Sequence, residues 1–231
     1  MERSSLITNT NSELAIGAPL PAFSWYGKLP GAGDFVSRRM PYALQQFWDR
    51  WCAAGMEALK AGNTASGWEF WRGTPKWAFL LPEQPGIPFG QFGVLAPSCD
   101  RVGRNFPFLV TLSLLPDNIA SLLPRVASLG LAWCDAISQA QLGTQGIDMV
   151  DARLESALVD ALATGAEADD GDRTLPHGMN PSILPWPNLV NTFDAQGIES
   201  YWWSVPPVST GFRARTHLGA LNGMHFFELC A

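Results

Sequence analysis

Lys28 lies in a setting that could bind an anion. It follows Gly27 in the segment WYGKLPGAGDFV, and this Gly-Lys pair has the form of the end of a phosphate-binding loop. Such a loop requires GxxxxGK followed by Ser or Thr, whereas Leu29 and Pro30 follow here, and the proline lacks a backbone N–H. The alternative interpretation is a strand that ends in a tight, glycine-rich turn.

A second charged segment, PSCDRVGRNFP, occupies residues 97–107. Asp100, Arg101 and Arg104 lie within five residues of one another, and the planar guanidinium of arginine binds carboxylates and other anions well. The alternative is a turn closed by Arg–Asp pairs, because charged side chains in tight loops mostly satisfy one another. Both interpretations stay open at this stage.

The two charged segments are predicted to meet in space. We expect the turn at 28–34 to lie against the loop at 100–104, with Asp34 paired to Arg101 or Arg104. We also expect Gly31 or Gly33 to adopt a positive φ, which other residues resist.

No nucleophile accompanies a base in this sequence. GxSxG and HExxH are absent, and the three histidines are isolated from one another along the chain. The four cysteines, at 52, 99, 134 and 230, form no CxxC and no zinc-ligand spacing, so we predict reduced and mostly buried thiols. No catalytic residue, metal or cofactor is therefore predicted.

Composition and charge exclude some classes of function. The net charge is -6 and the arginines are scattered, which disfavours nucleic-acid binding. The N-terminus has no signal-peptide pattern and no apolar run approaches the ~20 residues of a membrane helix, so a cytoplasmic protein is expected. Residues 1–20 are predicted to be a flexible arm, and residues 164–182 a mobile acidic loop.

Hydrophobic periodicity predicts the elements that would position these segments. Residues 41–61 form an amphipathic helix, and three strands follow within 76–115. Residues 117–142 are helical with a break at Pro124, and Asp148 is predicted to cap a further helix. The segments YWWSV, GFRART and MHFFELC are predicted to be strands. The fold class is α/β (α+β), a single mixed, largely antiparallel sheet within one domain, 21–231, covered by helices on both faces.

Aromatic residues are unusually numerous, with ten tryptophans and thirteen phenylalanines. The pairs Trp48/Trp51 and Trp68/Trp71 each lie on one face of a predicted helix. Adjacent aromatics at 202 and 203 point to opposite faces if they lie in a strand. Core packing is the more common role of such residues, and a contact with a partner is the alternative.

Several of these segments together resemble the TagF proteins of bacterial type VI secretion gene clusters. The resemblance rests on WYGKLPGAGDFV, on FWDRW at 47–51 and on GVLAPSCDRVGRNFP, in this order and spacing, and is strongest over residues 22–115. It marks a candidate partner-binding or structural site comprising Tyr26, Gly27, Lys28, Gly33, Asp34, Phe35, Trp48, Asp49, Trp51, Ser98, Asp100, Arg101 and Arg104.

The resemblance implies more than the residues themselves indicate. Members of that family are cytoplasmic, post-translational repressors of type VI secretion that are associated with a forkhead-associated scaffold protein. Their fold is a three-layer α/β/α sandwich, and the element order above agrees with it. The alternative function is a small-molecule or nucleotide-binding enzyme that uses the Lys28 turn and the Arg101/Arg104 loop.

Overall fold

The computed structural model describes residues 23–62, 71, 73–142, 145–163, 184–205 and 212–230. The predicted arm at 1–20 and the predicted acidic loop at 164–182 lie outside these residues. So does Trp68 of the Trp68/Trp71 pair, for which a short helical turn at 66–74 is the sequence prediction.

A seven-stranded sheet forms the middle layer of the described part of the chain. Its strands are β1 Phe23–Gly27, β2 Val36–Arg38, β3 Lys76–Leu81, β4 Gly90–Ala96, β5 Phe108–Leu114, β6 Glu199–Val205 and β7 Ala214–Leu218. Their order is β2-β1-β5-β4-β3-β6-β7, and every neighbouring pair is antiparallel. The predicted run of consecutive antiparallel strands within 76–115 is confirmed, and β6 pairs with β3 in the same sheet.

Two long helices cover one face of the sheet. The helices on this side are α2 Ile119–Leu122, α3 Val126–Leu142 and α4 Ile147–Ala163, and a 3-10 turn at Leu123–Arg125 separates α2 from α3. Pro124 lies in that turn, which confirms the predicted break. Trp133 of α3 is fully buried and stacks on Phe92 of β4, with ring centroids 5.6 Å apart.

The other face is covered by α1 Tyr42–Gly62 and α6 Gly223–Cys230. Trp48 and Trp51 of α1 pack on the sheet as predicted, with Trp48 against Phe79 of β3 and Trp51 against Trp202 of β6. The two cores on opposite faces make the predicted three-layer α/β/α sandwich. A further short helix, α5, spans Leu189–Thr192. No helix among the described residues is long and apolar enough to span a bilayer.

The C-terminal segment MHFFELC was predicted to be a strand, and this prediction is wrong. It forms α6, in which Phe226, Leu229 and Cys230 share the buried face at helical spacing. The side chain of Asn222 accepts a hydrogen bond from the backbone N–H of His225 at 3.0 Å, as a helix N-cap does.

The start of α4 also differs from the prediction. Asp148 does not cap this helix from outside, because α4 begins at Ile147 and Asp148 lies in its first turn. There the carboxylate pairs with Arg38 of β2 at 2.8 Å, although the Asp148 side chain is 95% exposed. A carboxylate in the first turn still interacts favourably with the helix dipole.

Candidate functional site

At the end of β1, the backbone of the first motif segment contacts the backbone of the second motif segment. Gly27 has a φ of 138°, and a Cβ at this position would lie 2.1 Å from the carbonyl oxygen of Pro107. Only glycine tolerates both the φ and the approach. The next residue, Lys28, donates its backbone N–H to the same Pro107 oxygen at 3.4 Å. The end of β1 at Gly27 and Lys28 therefore lies next to Phe106 and Pro107, which precede β5.

Asp100 lies at the centre of the contact between the two motif segments. Its Oδ2 accepts hydrogen bonds from Lys28 Nζ at 3.0 Å and from Arg104 Nε at 2.6 Å. Its Oδ1 accepts the backbone N–H groups of Val102 at 3.1 Å and Arg104 at 2.9 Å. The Asp100 side chain is fully buried, and that of Lys28 is 8% exposed. Four donors thus converge on one buried carboxylate.

The surroundings of Asp100 strongly favour its ionised form. Burial alone would raise the pKa of this carboxyl group. Hydrogen bonds from the backbone N–H of Arg104 and from the side chains of Lys28 and Arg104 outweigh that effect and hold the pKa well below its usual range. The Asp100 carboxylate is therefore ionised, and both of its oxygens accept hydrogen bonds from within the protein.

Three further hydrogen bonds join the turn and the loop. Ser98 Oγ donates to the carbonyl of Lys28 at 2.7 Å, and the backbone N–H of Arg101 donates to Ala32 at 2.8 Å. An Nη of Arg104 donates to the carbonyl of Gly33 at 2.8 Å. The prediction that the two segments meet in space is confirmed.

The predicted role of Asp34 is wrong. Its side chain is exposed, and Oδ1 accepts the neighbouring backbone N–H of Phe35 at 2.8 Å instead of binding either arginine. Arg104 pairs with Asp100, because the loop folds back on itself and brings these side chains together at a spacing of four residues.

The prediction that Gly31 or Gly33 has a positive φ is also wrong. Gly27 and Gly103 have positive φ, at 138° and 84°, whereas Gly31 and Gly33 do not. Gly33 is constrained differently: a Cβ there would lie 3.1 Å from an Nη atom of Arg101.

An aromatic cluster covers the turn. Phe35 stacks on Tyr26 with centroids 5.4 Å apart and meets the edge of Phe106 at 4.8 Å. Lys28 Nζ lies 5.0 Å from the centroid of the Phe35 ring. The Tyr26 hydroxyl donates to Asp49 of α1 at 2.7 Å, and burial together with this carboxylate raises the tyrosine pKa. The motif thereby fastens α1 to β1, the second strand of the sheet.

Trp48 and Trp51, two of the candidate site residues, belong to the core. Their relative exposures are 0% and 4%, and each indole N–H has an internal acceptor. Trp48 donates to the side chain of Gln91 at 3.0 Å, and Trp51 donates to the backbone carbonyl of Asn222 at 2.8 Å. These two residues are not exposed for contact with a partner.

A cleft of about 490 Å³ adjoins the two segments. Its lining comprises Pro30, Trp71, Gly73, Thr74, Pro75, Lys76, Pro97, Ser98, Cys99, Asn105 and Gln141. Within the described ranges, no group of three or more His, Cys, Asp or Glu side chains could hold a metal ion. Sequence reasoning did not identify this cleft, because its lining comes from five separate parts of the chain.

The comparison with protein families concerns the same segments. The model of the TagF N-terminal domain, described as type VI secretion system-associated, matches residues 24–168. The chain belongs to the TagF family. A crystal structure of PA0076 from Pseudomonas aeruginosa PAO1 is similar, with 25% identity and a TM-score of 0.60 over 91% of this chain and 94% of that one. No curated protein gives a significant match.

The TagF match places both motif segments inside one family domain. The match begins in β1 and includes the turn at 28–35, the loop at 97–107, and all of α1 to α4. The strands β6 and β7 and helix α6 follow the matched region, yet they complete the sheet and the second core.

Proposed function

We propose that this TagF protein represses type VI secretion by binding a forkhead-associated scaffold protein in the cytoplasm. Its association with type VI secretion follows from the family, whereas repression and the scaffold partner are what the family resemblance implies. The mechanism proposed is occupancy: the bound repressor keeps the scaffold from its activating partners, and no covalent change is required.

The arrangement around Asp100 is the observation that most supports binding over catalysis. Lys28, the best candidate for a phosphate-binding group, is 6% exposed and its Nζ is held by Asp100. A ligand could recruit this amine only by breaking a buried ion pair, and an uncompensated buried charge is strongly unfavourable. The charges of Lys28, Asp100 and Arg104 hold the turn and the loop together.

The enzyme alternative has less support for the same reason. A phosphate group would need several converging donors that are free to reach it, and Asp100 already engages Lys28 and Arg104, which leaves Arg101 alone of the three. A thermal-shift screen separates the two functions, because a ligand that binds the native state stabilises it by mass action. We expect no shift with ATP, GTP or their magnesium complexes, and a shift with the purified scaffold.

Secretion assays test the repression itself. Deletion of the gene should raise secretion of a type VI substrate without an activating phosphorylation signal, and overproduction should suppress it. The control is the deletion strain complemented with the wild-type gene, which should return secretion to its original level. Unchanged secretion in both the deletion and the overproducing strain would refute repression.

A binding assay tests the partner independently. The purified protein and the purified scaffold should associate at physiological salt by calorimetry, and fractionation should recover both in the cytoplasm. Turnover of a nucleotide by the purified protein, with no association, would favour the enzyme alternative.

A further inference from the structure

The loop that carries the second motif is held in one conformation before any partner arrives. Asp100 accepts two backbone N–H groups of its own loop, and Gly103 donates its N–H to the carbonyl of Asp100 at 2.9 Å. Arg101 is tied to the first motif through its backbone N–H. A preorganised loop loses little conformational entropy when it binds, which favours affinity.

The two arginines of this loop have different surroundings. The guanidinium of Arg104 is engaged within the site, through hydrogen bonds to Asp100 and to the carbonyl of Gly33, although its side chain is 57% exposed. The Arg101 guanidinium has no acceptor among the residues that the structure describes, and it extends past Gly33 at the surface. One arginine of the motif therefore builds the loop, and the other is presented to solvent.

Two exposed apolar side chains belong to the same two segments as the presented arginine. Val102, at the end of the loop, is 70% exposed. Phe35 is 42% exposed and is held by its stacking on Tyr26. We name Arg101, Val102 and Phe35 the docking tip. Arginine and aromatic side chains are enriched at protein interfaces, and arginine is one of the residues that most often make their strongest contacts.

The local charge of this region is opposite in sign to that of the whole chain. Lys28, Arg101 and Arg104 carry three positive charges, against two negative charges on Asp34 and Asp100, so the two segments are positive by one. The chain as a whole has a net charge of -6. Asp100 offsets only one of the two charges of Lys28 and Arg104, so the surplus positive charge is shared by these groups and the exposed Arg101, with the exposed Asp34 as the second negative group.

We infer that the docking tip binds an acidic surface of the protein partner, with a carboxylate on Arg101 and an apolar side chain beside Val102 and Phe35. Carboxylates suit the planar fork of a guanidinium, which can bind them through two parallel hydrogen bonds. This inference rests on the proposed function, since the partner it describes is the scaffold protein.

The test compares two charge reversals. Arg101→Glu alters the docking tip, and Arg153→Glu makes the same change at an exposed position of α4, in the helix layer that covers the other face of the sheet from α1. Dissociation constants for the purified scaffold are measured by calorimetry at low and high salt. We expect Arg101→Glu to weaken binding by about tenfold or more and to reduce its salt dependence, and Arg153→Glu to stay within about twofold of wild type.

A second variant tests the apolar part of the surface. Val102→Ser should weaken binding without changing its salt dependence, because it removes apolar area and no charge. Neither Arg101→Glu nor Val102→Ser should change the melting temperature, since neither side chain makes a hydrogen bond within the described structure. A melting temperature equal to that of wild type shows that a loss of binding is not a loss of folding.

The outcomes distinguish this inference from the proposed function. If wild type binds the scaffold and Arg101→Glu binds equally well, the docking tip is refuted while the proposed function stands. If both charge reversals weaken binding equally, the effect is long-range attraction and the tip is refuted again. If wild type does not bind the scaffold at all, the proposed partner and the inference fail together.

Discussion

Replacing Gly27 with alanine tests the claim that the first motif is shaped by a backbone contact. A φ of 138° is a conformation that costs a residue with a Cβ about 1–3 kcal/mol. The added Cβ would also lie 2.1 Å from the carbonyl oxygen of Pro107 and 2.8 Å from Cα of Phe108. Both atoms are backbone, so they can move only if β1 and β5 separate at this end.

The magnitude follows from adding the two effects. Overpacking of this kind costs about 1–3 kcal/mol, so Gly27→Ala should lower the free energy of unfolding by about 2–6 kcal/mol in all. Native domains have a total stability of about 5–15 kcal/mol, so this is a large fraction. For a chain of this size each kcal/mol lowers the melting temperature by about 2–4 °C, which gives a decrease of roughly 4–24 °C.

Two other glycines provide matched controls. Gly86 has a φ of 84° with no atom within 4 Å of an added Cβ, so Gly86→Ala tests the backbone conformation alone. Gly73 lies in open space without a positive φ, so Gly73→Ala should be close to neutral. Urea unfolding followed by tryptophan fluorescence should rank Gly27→Ala as the most destabilised and Gly73→Ala as the least. A Gly27→Ala protein as stable as Gly86→Ala would refute the steric reasoning.

Three further predictions concern ionised groups and thiols. Because the folded-state pKa of Asp100 is depressed, its carboxylate stabilises the protein above about pH 4, and this contribution is lost as the pH falls. Asp100→Asn should therefore destabilise the protein at neutral pH and flatten the decrease of the urea midpoint in acid; a wild-type slope would contradict this. Asp151→Ala removes the acceptor of the buried Trp25 indole N–H, 2.7 Å away, and should cost about 1–3 kcal/mol by urea unfolding. Asp148→Ala, at an ion pair with a 95% exposed carboxylate, should change stability by less than about 0.5 kcal/mol. If Asp151→Ala and Asp148→Ala lowered the free energy of unfolding equally, burial would not explain the cost of losing Asp151. Cys99 should react first with a thiol reagent in the native protein, since the other three thiols are buried; mass spectrometry identifies the labelled residue, and initial labelling elsewhere would contradict the described burial.

The elements that sequence periodicity predicted correctly are those with one strongly apolar face. In α1 the apolar residues recur at helical spacing and occupy the core beneath the helix, so the pattern and the packing agree. The strands β3 to β5 are buried on nearly every residue because helices cover both faces of the sheet. Such runs are recognisable as buried segments whatever their partners are.

Short segments lacked that information. The seven residues of MHFFELC are too few for periodicity to distinguish a buried strand from a buried helix. The decisive signal was Asn222, which caps α6 and stands two residues before the apolar run. The edge strand β2 has three residues and only partial burial, so its sequence carries no strand pattern of its own.

The sequence correctly predicted that the two motif segments meet, but it did not predict which aspartate pairs with Arg104. Asp34 was predicted as the partner of an arginine, and the structure gives that role to Asp100. The choice depends on the path of the loop, which turns its own backbone N–H groups toward Asp100. An aspartate followed three residues later by Gly103 in a left-handed conformation is typical of such a turn, and that pattern favoured Asp100.

The two motifs divide structural and binding roles between neighbouring side chains. Gly27, Lys28 and Asp100 are buried and Arg104 binds Asp100, so these four residues join the strand ends and close the loop. Arg101, next to Asp100 in sequence, makes its only described polar contact through its backbone, so its side chain adds no hydrogen bond to the loop among the described residues. A substitution at one of these four residues should therefore reduce folding and repression together. Arg101→Glu, in contrast, should reduce repression in a protein that remains as stable as wild type. This separation requires that the loop be rigid without the partner, because a loop ordered only on binding would make both kinds of substitution act on affinity alone.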